Sequence, residues 1–204
     1  MMRIAVFCSG GGTNLQSLLD AQAKDTLGGG EITLVLASRK SAYALERARA
    51  HGVEGIFLSK KADPDTYDER MLALLRERGI DLIVLAGFLG ILGEKTLRAY
   101  QGRILNIHPA LLPSFGGMGM YGHHVHDAVL AAGCKVSGAS THFVTNGVDE
   151  GPIVMQRAVA VLEDDTAETL AARVLSVEHQ ILPASVALFC RGRLTIEGNR
   201  VSIR

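Results

Sequence analysis

The sequence predicts an α/β fold, a Rossmann-like three-layer sandwich whose central sheet is mostly parallel and becomes antiparallel towards the C-terminus. Short apolar runs of strand length alternate with longer stretches at helical spacing, which is the pattern of parallel strands joined by crossover helices. The turn signal Asn146-Gly147 lies between two later apolar runs and indicates an antiparallel hairpin. A length of 204 residues suits one domain, and we expect a single domain over residues 1–204.

The first strand-turn-helix unit is the clearest part of this pattern. Residues 3–8 form a continuous apolar run, a Gly-rich turn follows, and the next helix has Thr13 or Asn14 available as its N-cap. Residues 32–37 form a second apolar run and predict a buried strand. We expect Ser41 to cap the helix that follows this strand.

The middle of the chain predicts two further parallel strands with helices between them. Pro64 stands where a helix begins, and Gly79 follows its last apolar residues and ends it. Residues 81–86 and 103–109 are apolar runs that predict the third and fourth strands. One short helix is expected between them, over residues 89–100.

The C-terminal part predicts the change from parallel to antiparallel pairing. Residues 135–144 and 153–161 are the two strands of the expected hairpin. Thr166 caps a long final helix, in which Pro183 marks a break or a kink. Residues 193–204 look like a small terminal hairpin.

A Pro- and Gly-rich segment separates the fourth strand from a helix expected over residues 124–132. This segment covers residues 111–122, and loops of that length inside a compact domain are usually functional or mobile. We therefore expect it to serve the function of the protein.

The composition excludes several classes of function. Lys plus Arg and Asp plus Glu both number 21, so the chain lacks the basic surplus on which nucleic-acid binding rests. Its three cysteines are far apart and fit neither a disulfide framework nor a zinc pair, and no apolar stretch is long enough to span a membrane. We expect a cytoplasmic protein that acts on small molecules, with no nucleic-acid or membrane partner.

Three consecutive glycines after the first strand form the first candidate site. Gly10, Gly11 and Gly12 leave backbone N–H groups at a helix N-terminus, whose partial positive charge favours an anion such as a phosphate. The turn is not a dinucleotide fingerprint, because Leu15 stands at the third glycine position, and no P-loop lysine follows. The alternative interpretation is a plain tight turn between strand and helix.

The second candidate site is the pair Asn106 and His108 at the end of the fourth strand. Residues two apart in a strand project from the same face, so the amide and the imidazole converge. Pro109 ends the strand and places the pair at its carboxyl end, where open α/β sheets bind ligands. An amide donor beside a group that titrates near neutral pH suits acyl transfer. The alternative is a buried histidine beside a turn-forming asparagine.

Asp149, in the Gly-rich turn of the expected hairpin, is the third candidate. Taken alone, an acidic residue in such a turn is most often a solvated turn former. It becomes a candidate for proton relay if the hairpin folds back beside His108, because a nearby carboxylate stabilises an imidazolium.

The other histidines carry no site argument in the sequence. His123, His124 and His126 follow a glycine and open a helix without Cys or Glu at ligand spacing, so we interpret them as loop and helix-start residues. His142 and His179 stand alone. The sequence therefore predicts no metal site.

Taken together, four segments of the sequence resemble those of a known enzyme family. The chain resembles the folate-dependent formyltransferases over nearly its whole length, and the Gly-rich opening narrows the resemblance to the branch that acts on a ribonucleotide. The segments are SGGGTNL at 9–15, LAGF at 85–88 with Ile91-Leu92, NIHPALLP at 106–113 and THFVTNGVDEGP at 141–152. The implied activity is transfer of the formyl group of 10-formyltetrahydrofolate to the amino group of glycinamide ribonucleotide in purine biosynthesis.

The resemblance also implies roles for individual residues in substrate binding. Gly12, Thr13 and Asn14 would hold the ribose phosphate of the substrate, which agrees with the anion argument for the Gly-rich turn. Glu178 in the final helix matches a family position that helps to bind the glycinamide substrate. The expected oligomeric state is a monomer or a homodimer.

For the chemistry, the resemblance implies Asn106, His108 and Asp149 as the catalytic group, with 10-formyltetrahydrofolate as cosubstrate and no metal. The substrate amine would attack the formyl carbon, the amide would donate to the tetrahedral oxygen, and the imidazole would transfer a proton. The folate-binding residues implied by the family are Leu89, Gly90, Ile91, Leu92, Asn106, Thr145, Asn146, Gly147, Val148 and Asp149.

Two positions depart from one common version of the family pattern. Pro64 and Gly90 stand where some members have arginine, and both replacements remove a cation from the expected contact to the folate glutamate tail.

Two alternatives to formyl transfer remain at this stage. Formyltetrahydrofolate hydrolase shares the catalytic group but carries an extra N-terminal regulatory domain, for which we expect no room ahead of the first strand. A folate or nucleotide-phosphate binding protein without catalysis would keep the Gly-rich turn and lose the polar triplet. Methionyl-tRNA formyltransferase is disfavoured, because its tRNA-binding extension calls for a basic tail that this chain lacks.

Overall fold

All 204 residues are described by the computed structural model, which has nine strands in one sheet and six helices. The elements in chain order are β1 (Met2–Cys8), α1 (Thr13–Ala23), β2 (Gly30–Ala37), α2 (Ala44–Ala50), β3 (Glu54–Phe57), α3 (Tyr67–Glu77), β4 (Leu82–Leu85), α4 (Glu94–Ala99), β5 (Ile104–His108), α5 (His123–Ala131), β6 (Val136–Phe143), β7 (Ile153–Ala160), α6 (Ala167–Cys190), β8 (Leu194–Glu197) and β9 (Arg200–Ile203). No helix is both long enough and apolar enough to cross a membrane.

The sheet has the strand order β3-β2-β1-β4-β5-β6-β7-β9-β8. The first five strands pair in parallel, whereas β6 is antiparallel to β5 and β7 is antiparallel to β6. The predicted mixed sheet is therefore confirmed, including the hairpin formed by the two strands around Asn146-Gly147. The terminal hairpin is confirmed as well, and it joins the sheet where Ile153 pairs with Arg200.

Helices cover both faces of the sheet, as the three-layer prediction requires. Alternate residues of β1 belong to different cores: Ile4 and Val6 pack with α1 and α6, whereas Phe7 packs with α3. Strands buried on both faces are continuous apolar runs rather than alternating ones, because each side chain needs an apolar partner on its own side. This is why the central strands were recognisable in the sequence.

The expected caps of the first two helices are wrong. The N-cap of α1 is Gly12, which adopts a left-handed conformation with φ of 71°, and no side chain caps this helix. Asn14 cannot cap it, because its amide bonds to Glu178 in α6. The second helix begins at Ala44 after Tyr43 rather than at Ser41, again without a side-chain cap.

The helix expected over residues 89–100 is shorter than predicted. It spans only Glu94–Ala99, because the carboxylate of Asp68 in α3 accepts hydrogen bonds from the amides of Lys95 and Thr96 and fixes the helix start there. The preceding residues stay in a loop at the end of β4. The edge strand β3 was not predicted, since it is short and mostly exposed.

The final helix agrees with the sequence at its start and differs at Pro183. Thr166 caps α6 with a reciprocal capping box to Thr169, as predicted. The expected break at Pro183 is wrong, because α6 continues through it to Cys190. Fully buried neighbours such as Leu182 anchor the helix to the sheet on both sides of the proline, so tertiary packing outweighs the missing hydrogen bond.

Replacing Gly12 by alanine is expected to destabilise the fold. A left-handed backbone costs an L-residue about 1–2 kcal/mol, and the new methyl group would lie 2.8 Å from Cβ of Ala44. Gly11→Ala is the matched control, since a methyl group there meets no atom within 4 Å. Urea unfolding should therefore show a loss of at least about 1 kcal/mol for Gly12→Ala and little change for Gly11→Ala. Equal stability of the two variants would contradict this account.

Candidate active site

The carboxyl ends of β4 and β5 open into one cleft of about 680 Å³, which Asn14 of α1, the helix that follows β1, also lines. The chain runs outward from β1 to β2 and β3 and then returns to β4 beside β1, so the strand order reverses here. Open α/β sheets bind ligands at such a reversal, because the loops on either side diverge and leave a crevice. Side chains of α5 and α6 and residues 117–122 of the long loop also line the cleft.

The Gly-rich turn presents free backbone donors at the start of α1. None of the N–H groups of residues 10–15 donates to another group of the protein. The carbonyl groups of the turn, by contrast, are held by α2: Gly10 accepts from the amide of Ala44, and Gly11 accepts from Nε of Arg47. Free N–H groups at a helix N-terminus favour an anion. The role of this turn in phosphate binding stays a prediction.

Asn14 and Glu178 form a buried polar pair in the wall of the cleft. Nδ2 of Asn14 donates to Oε2 of Glu178 at 2.6 Å, and the two residues are 8% and 7% exposed. Burial raises the pKa of the Glu178 carboxyl, and the hydrogen bond from Asn14 only partly opposes it. Oδ1 of Asn14 is buried without a partner. The pair therefore offers unsatisfied acceptor capacity to a ligand with N–H or O–H groups.

The three side chains expected to act together do meet in the cleft. Nδ1 of His108 lies 3.5 Å from Oδ2 of Asp149, and Nδ2 of Asn106 lies 3.4 Å from Oδ1 of the same carboxylate. The amide and the imidazole share one face of β5, as their spacing predicts, and the turn after β6 folds back to bring the carboxylate beside them.

The long loop after β5 also contacts His108 and Asp149 directly. The carbonyl of Phe115 accepts a hydrogen bond from Nε2 of His108 at 2.8 Å, and the amide of Gly117 donates to Oδ2 of Asp149 at 3.1 Å. Phe115 and Asp149 both have positive φ, 54° and 59°, which is uncommon for residues other than glycine. The loop is thus part of the site, and its backbone fixes one nitrogen of the imidazole.

At both His108 and Asp149, burial and the neighbouring polar groups shift the pKa in opposite directions. Burial lowers the pKa of the His108 imidazole, and the charge of Asp149 and the carbonyl of Phe115 only partly offset it. Burial acts to raise the pKa of Asp149. The nearby His108 imidazole and the donating Gly117 amide act against burial, and this pKa lies below its usual value. Near neutral pH the site therefore holds a carboxylate beside a mostly neutral imidazole.

His142 also belongs to the site, although no local pattern places it beside Asn106. It lies opposite Asn106 in the antiparallel pairing of β5 with β6. Its Nε2 is 3.0 Å from Nδ2 of Asn106 and 3.5 Å from Oδ1 of Asp149. The period of two along β6 would have indicated its face, but only the register with β5, across a connection of more than twenty residues, places it beside the amide.

The residues expected to bind folate fall into two groups. Leu89, Gly90, Ile91 and Val148 line the cleft, together with Asn106 and Asp149. The others do not: Leu92 is 7% exposed and belongs to the core on the α3 side, while Thr145 and Asn146 line a separate groove between α4 and the terminal hairpin. Gly147 lines neither. The loop from β4 therefore contributes more to the cleft wall than the turn after β6.

Two of the remaining histidines also line the cleft. His123 and His126 of α5 line the cleft, and His126 is 4% exposed. His179 faces a neighbouring groove beside α1. No group of three His, Cys, Asp or Glu side chains is arranged so that it could hold a metal ion.

A family model described as formyl transferase matches residues 2–186 of the chain. The chain belongs to the formyl transferase family. Its fold is that of solved members: the glycinamide ribonucleotide transformylase 1 of Symbiobacterium toebii has 45% sequence identity and a TM-score of 0.93, over 100% of this chain and 94% of that one. The predicted family and fold are confirmed.

Curated relatives agree with this assignment. The phosphoribosylglycinamide formyltransferase of Escherichia coli K12 is 37% identical, over 97% of this chain and 92% of its own length. The chloroplastic phosphoribosylglycinamide formyltransferase of Vigna unguiculata is 41% identical over 94% of this chain, which spans only 62% of that relative. A formyltetrahydrofolate deformylase of Pseudomonas syringae is 24% identical with a TM-score of 0.90, and this likeness shows the shared fold alone.

Glu178→Gln is expected to stabilise the formyl transferase at alkaline pH. A carboxyl whose pKa is raised in the folded state favours folding fully only below its unfolded pKa, and this contribution is lost as the pH rises through the folded pKa. Glutamine keeps the acceptor for Asn14 without a charge. Thermal unfolding should give a higher Tm for Glu178→Gln than for wild type at pH 8, with a smaller difference near pH 4.5.

The control for this comparison is Glu163→Gln, at an exposed glutamate before α6. Its Tm should follow that of wild type across the same pH range, because a solvated carboxyl is not desolvated on folding. If Glu178→Gln is less stable than wild type at pH 8, burial of the Glu178 charge is not the dominant effect on stability at this position.

Proposed function

We propose that this chain transfers the formyl group of 10-formyltetrahydrofolate to the amino group of glycinamide ribonucleotide, a step of de novo purine biosynthesis. One observation carries the proposal: an amide, an imidazole and a carboxylate meet in a cleft that Asn14, in the first turn of α1, also lines. Relatives named phosphoribosylglycinamide formyltransferase, similar over nearly the whole chain, support the choice of substrate.

The cleft is lined by both apolar and polar side chains, and the two substrates likewise have an apolar and a polar part. Large apolar side chains at the rim are exposed, among them Leu89, Ile91, Met118 and Val148, and such a patch suits the flat aromatic part of a folate. The buried Oδ1 of Asn14 in the cleft wall suits a polar glycinamide or ribose group, and the free amides of the Gly-rich turn, at the start of the same helix, suit a phosphate. These features suit a folate donor and a phosphorylated acceptor.

In the proposed mechanism, the amine attacks the formyl carbon, a new C–N bond forms, and the bond from this carbon to the donor nitrogen breaks. Asn106 donates a hydrogen bond to the oxygen of the tetrahedral intermediate, which carries the developing negative charge. The amine gives up a proton and the donor nitrogen gains one, so a group that can take and return a proton is needed.

His108 has the properties that this proton transfer requires. Its Nε2 donates to the Phe115 carbonyl, so in the neutral ring Nδ1 is the unprotonated nitrogen. A proton taken up at Nδ1 lies beside the ionised carboxylate of Asp149, which stabilises the imidazolium. The Phe115 carbonyl thus holds the ring, and Asp149 balances the charge that the ring acquires. The family chemistry needs no resident cofactor beyond the folate cosubstrate.

The cytoplasmic location and the state as monomer or homodimer stay predictions from the sequence. The loss of a contact to the folate glutamate tail at two positions also stays a prediction. Gly90 lies in the cleft wall, and Pro64 lies in the exposed turn before α3.

Asn106→Ala is expected to lower kcat for formyl transfer by about 10²–10³, the usual effect of removing one oxyanion donor. The KM for glycinamide ribonucleotide should change little, because the phosphate site does not involve this amide. Asn199→Ala, at the exposed tip of the terminal hairpin, is the control and should behave as wild type. Near-normal turnover of Asn106→Ala would remove this residue from the mechanism.

A second experiment tests the reaction itself. With 10-formyltetrahydrofolate alone we expect slow formate release, whereas added glycinamide ribonucleotide should give stoichiometric formylated product and raise the Tm, since a ligand that binds only the folded state stabilises it. Rapid formate release that is indifferent to the ribonucleotide would identify a hydrolase. A Tm shift without any product would identify a binding protein.

A further inference from the structure

We propose that His142 is a positioning residue that holds the amide of Asn106 with its nitrogen, rather than its oxygen, towards the catalytic carboxylate. The inference rests on the proposed function, because Asn106 is the oxyanion donor of that reaction. The observation behind it is a chain of hydrogen bonds that starts at a backbone carbonyl and ends at the Asn106 amide.

The first link of this chain determines which nitrogen of His142 carries hydrogen. Nδ1 lies 2.9 Å from the carbonyl oxygen of Phe143, and a carbonyl oxygen can only accept. Nδ1 must therefore be the N–H of the ring. In the neutral imidazole, Nε2 is then left with a lone pair and can act only as an acceptor.

The second link determines the orientation of Asn106. Nε2 of His142 is 3.0 Å from the terminal group of the Asn106 side chain, and an acceptor at that distance requires the amide nitrogen there. An amide turned the other way would put its oxygen against the ring lone pair. The carboxylate of Asp149 makes the same demand, but at 3.4 Å its bond to the amide is the weaker one.

His142 is suited to this role because it is buried and lies within a paired strand. Its side chain is 2% exposed, and its place in β6 opposite Asn106 is fixed by the strand pairing. Asn106 by contrast is only partly buried and faces the cleft. The short bond to a rigid ring therefore holds the amide, and the longer bond to Asp149 is the one that the oxygen of the tetrahedral intermediate can replace.

Two substitutions test the roles of the two ring nitrogens separately. His142→Gln places a terminal oxygen where Nε2 stands and so keeps an acceptor for Asn106. His142→Asn has a shorter side chain that reaches only as far as Nδ1, and it keeps a donor for the Phe143 carbonyl but loses the acceptor. The two variants are similar in polarity, so they form a matched pair for steady-state kinetics.

We expect kcat of His142→Gln to stay within about threefold of wild type and kcat of His142→Asn to fall by about tenfold or more, a part of the effect of losing an oxyanion donor. The KM values of both substrates should change by less than about twofold, because the amide acts in the transition state. Equal losses in the two folded variants, equal wild-type activity in both, or a loss that appears in KM would each overturn the proposal.

A measurement without turnover tests the same contact. Long-range ¹H–¹⁵N NMR of the wild-type chain at pH 7.5 should show His142 as the Nδ1–H tautomer, and an Nε2–H tautomer or a charged ring would overturn the proposal. A wild-type chain that transfers no formyl group overturns the proposed function instead. In that case the tautomer of His142 still shows how Asn106 is oriented. Failure of the proposed function and failure of the His142 proposal are therefore distinguishable.

Discussion

The antiparallel register of β5 and β6 is the constraint on which the rest of the site depends. It places His142 opposite Asn106 and Ser140 opposite His108. The hydroxyl of Ser140 in turn bonds to the carbonyl of Ala110 and the amide of Leu112, so it anchors the first residues of the long loop. A shift by one residue would turn all of these side chains to the other face of the sheet. The same pairing directs the chain after β6 back over the end of β5.

Burial and charge act in opposite directions at the two polar groups of the cleft. At Asp149 nearby donors outweigh burial and the pKa falls, whereas at Glu178 one amide donor is too little and the pKa rises. Asp149 is less deeply buried and has several polar partners, whereas Glu178 is more deeply buried and has a single amide donor. Asp149 is therefore held ionised beside His108, whereas the Glu178 carboxyl in the cleft wall has a raised pKa. A single fold supplies both environments within one cleft.

Several elements differ from their sequence-based predictions because of long-range contacts. Thr13 and Asn14 are good capping residues by type, but a left-handed Gly12 and a long-range bond to Glu178 replace the local cap. Pro183 breaks isolated helices, but the packing of α6 overrides it. His142 carries no local signal at all. At Asn14 and Pro183 contacts with distant segments outweigh a local preference, and His142 is placed beside Asn106 by strand pairing alone.

The sequence by itself determined the order and type of most elements, the parallel-to-antiparallel change and the placement of Asn106 and His108 on one face, because hydrophobic periodicity and strand geometry are local properties. Only the tertiary structure decided which side chains meet: Asp149 beside His108, His142 against Asn106, and Leu92 in the core instead of the cleft. These contacts depend on strand register and on loop backbones, and both are set by the packing of distant segments.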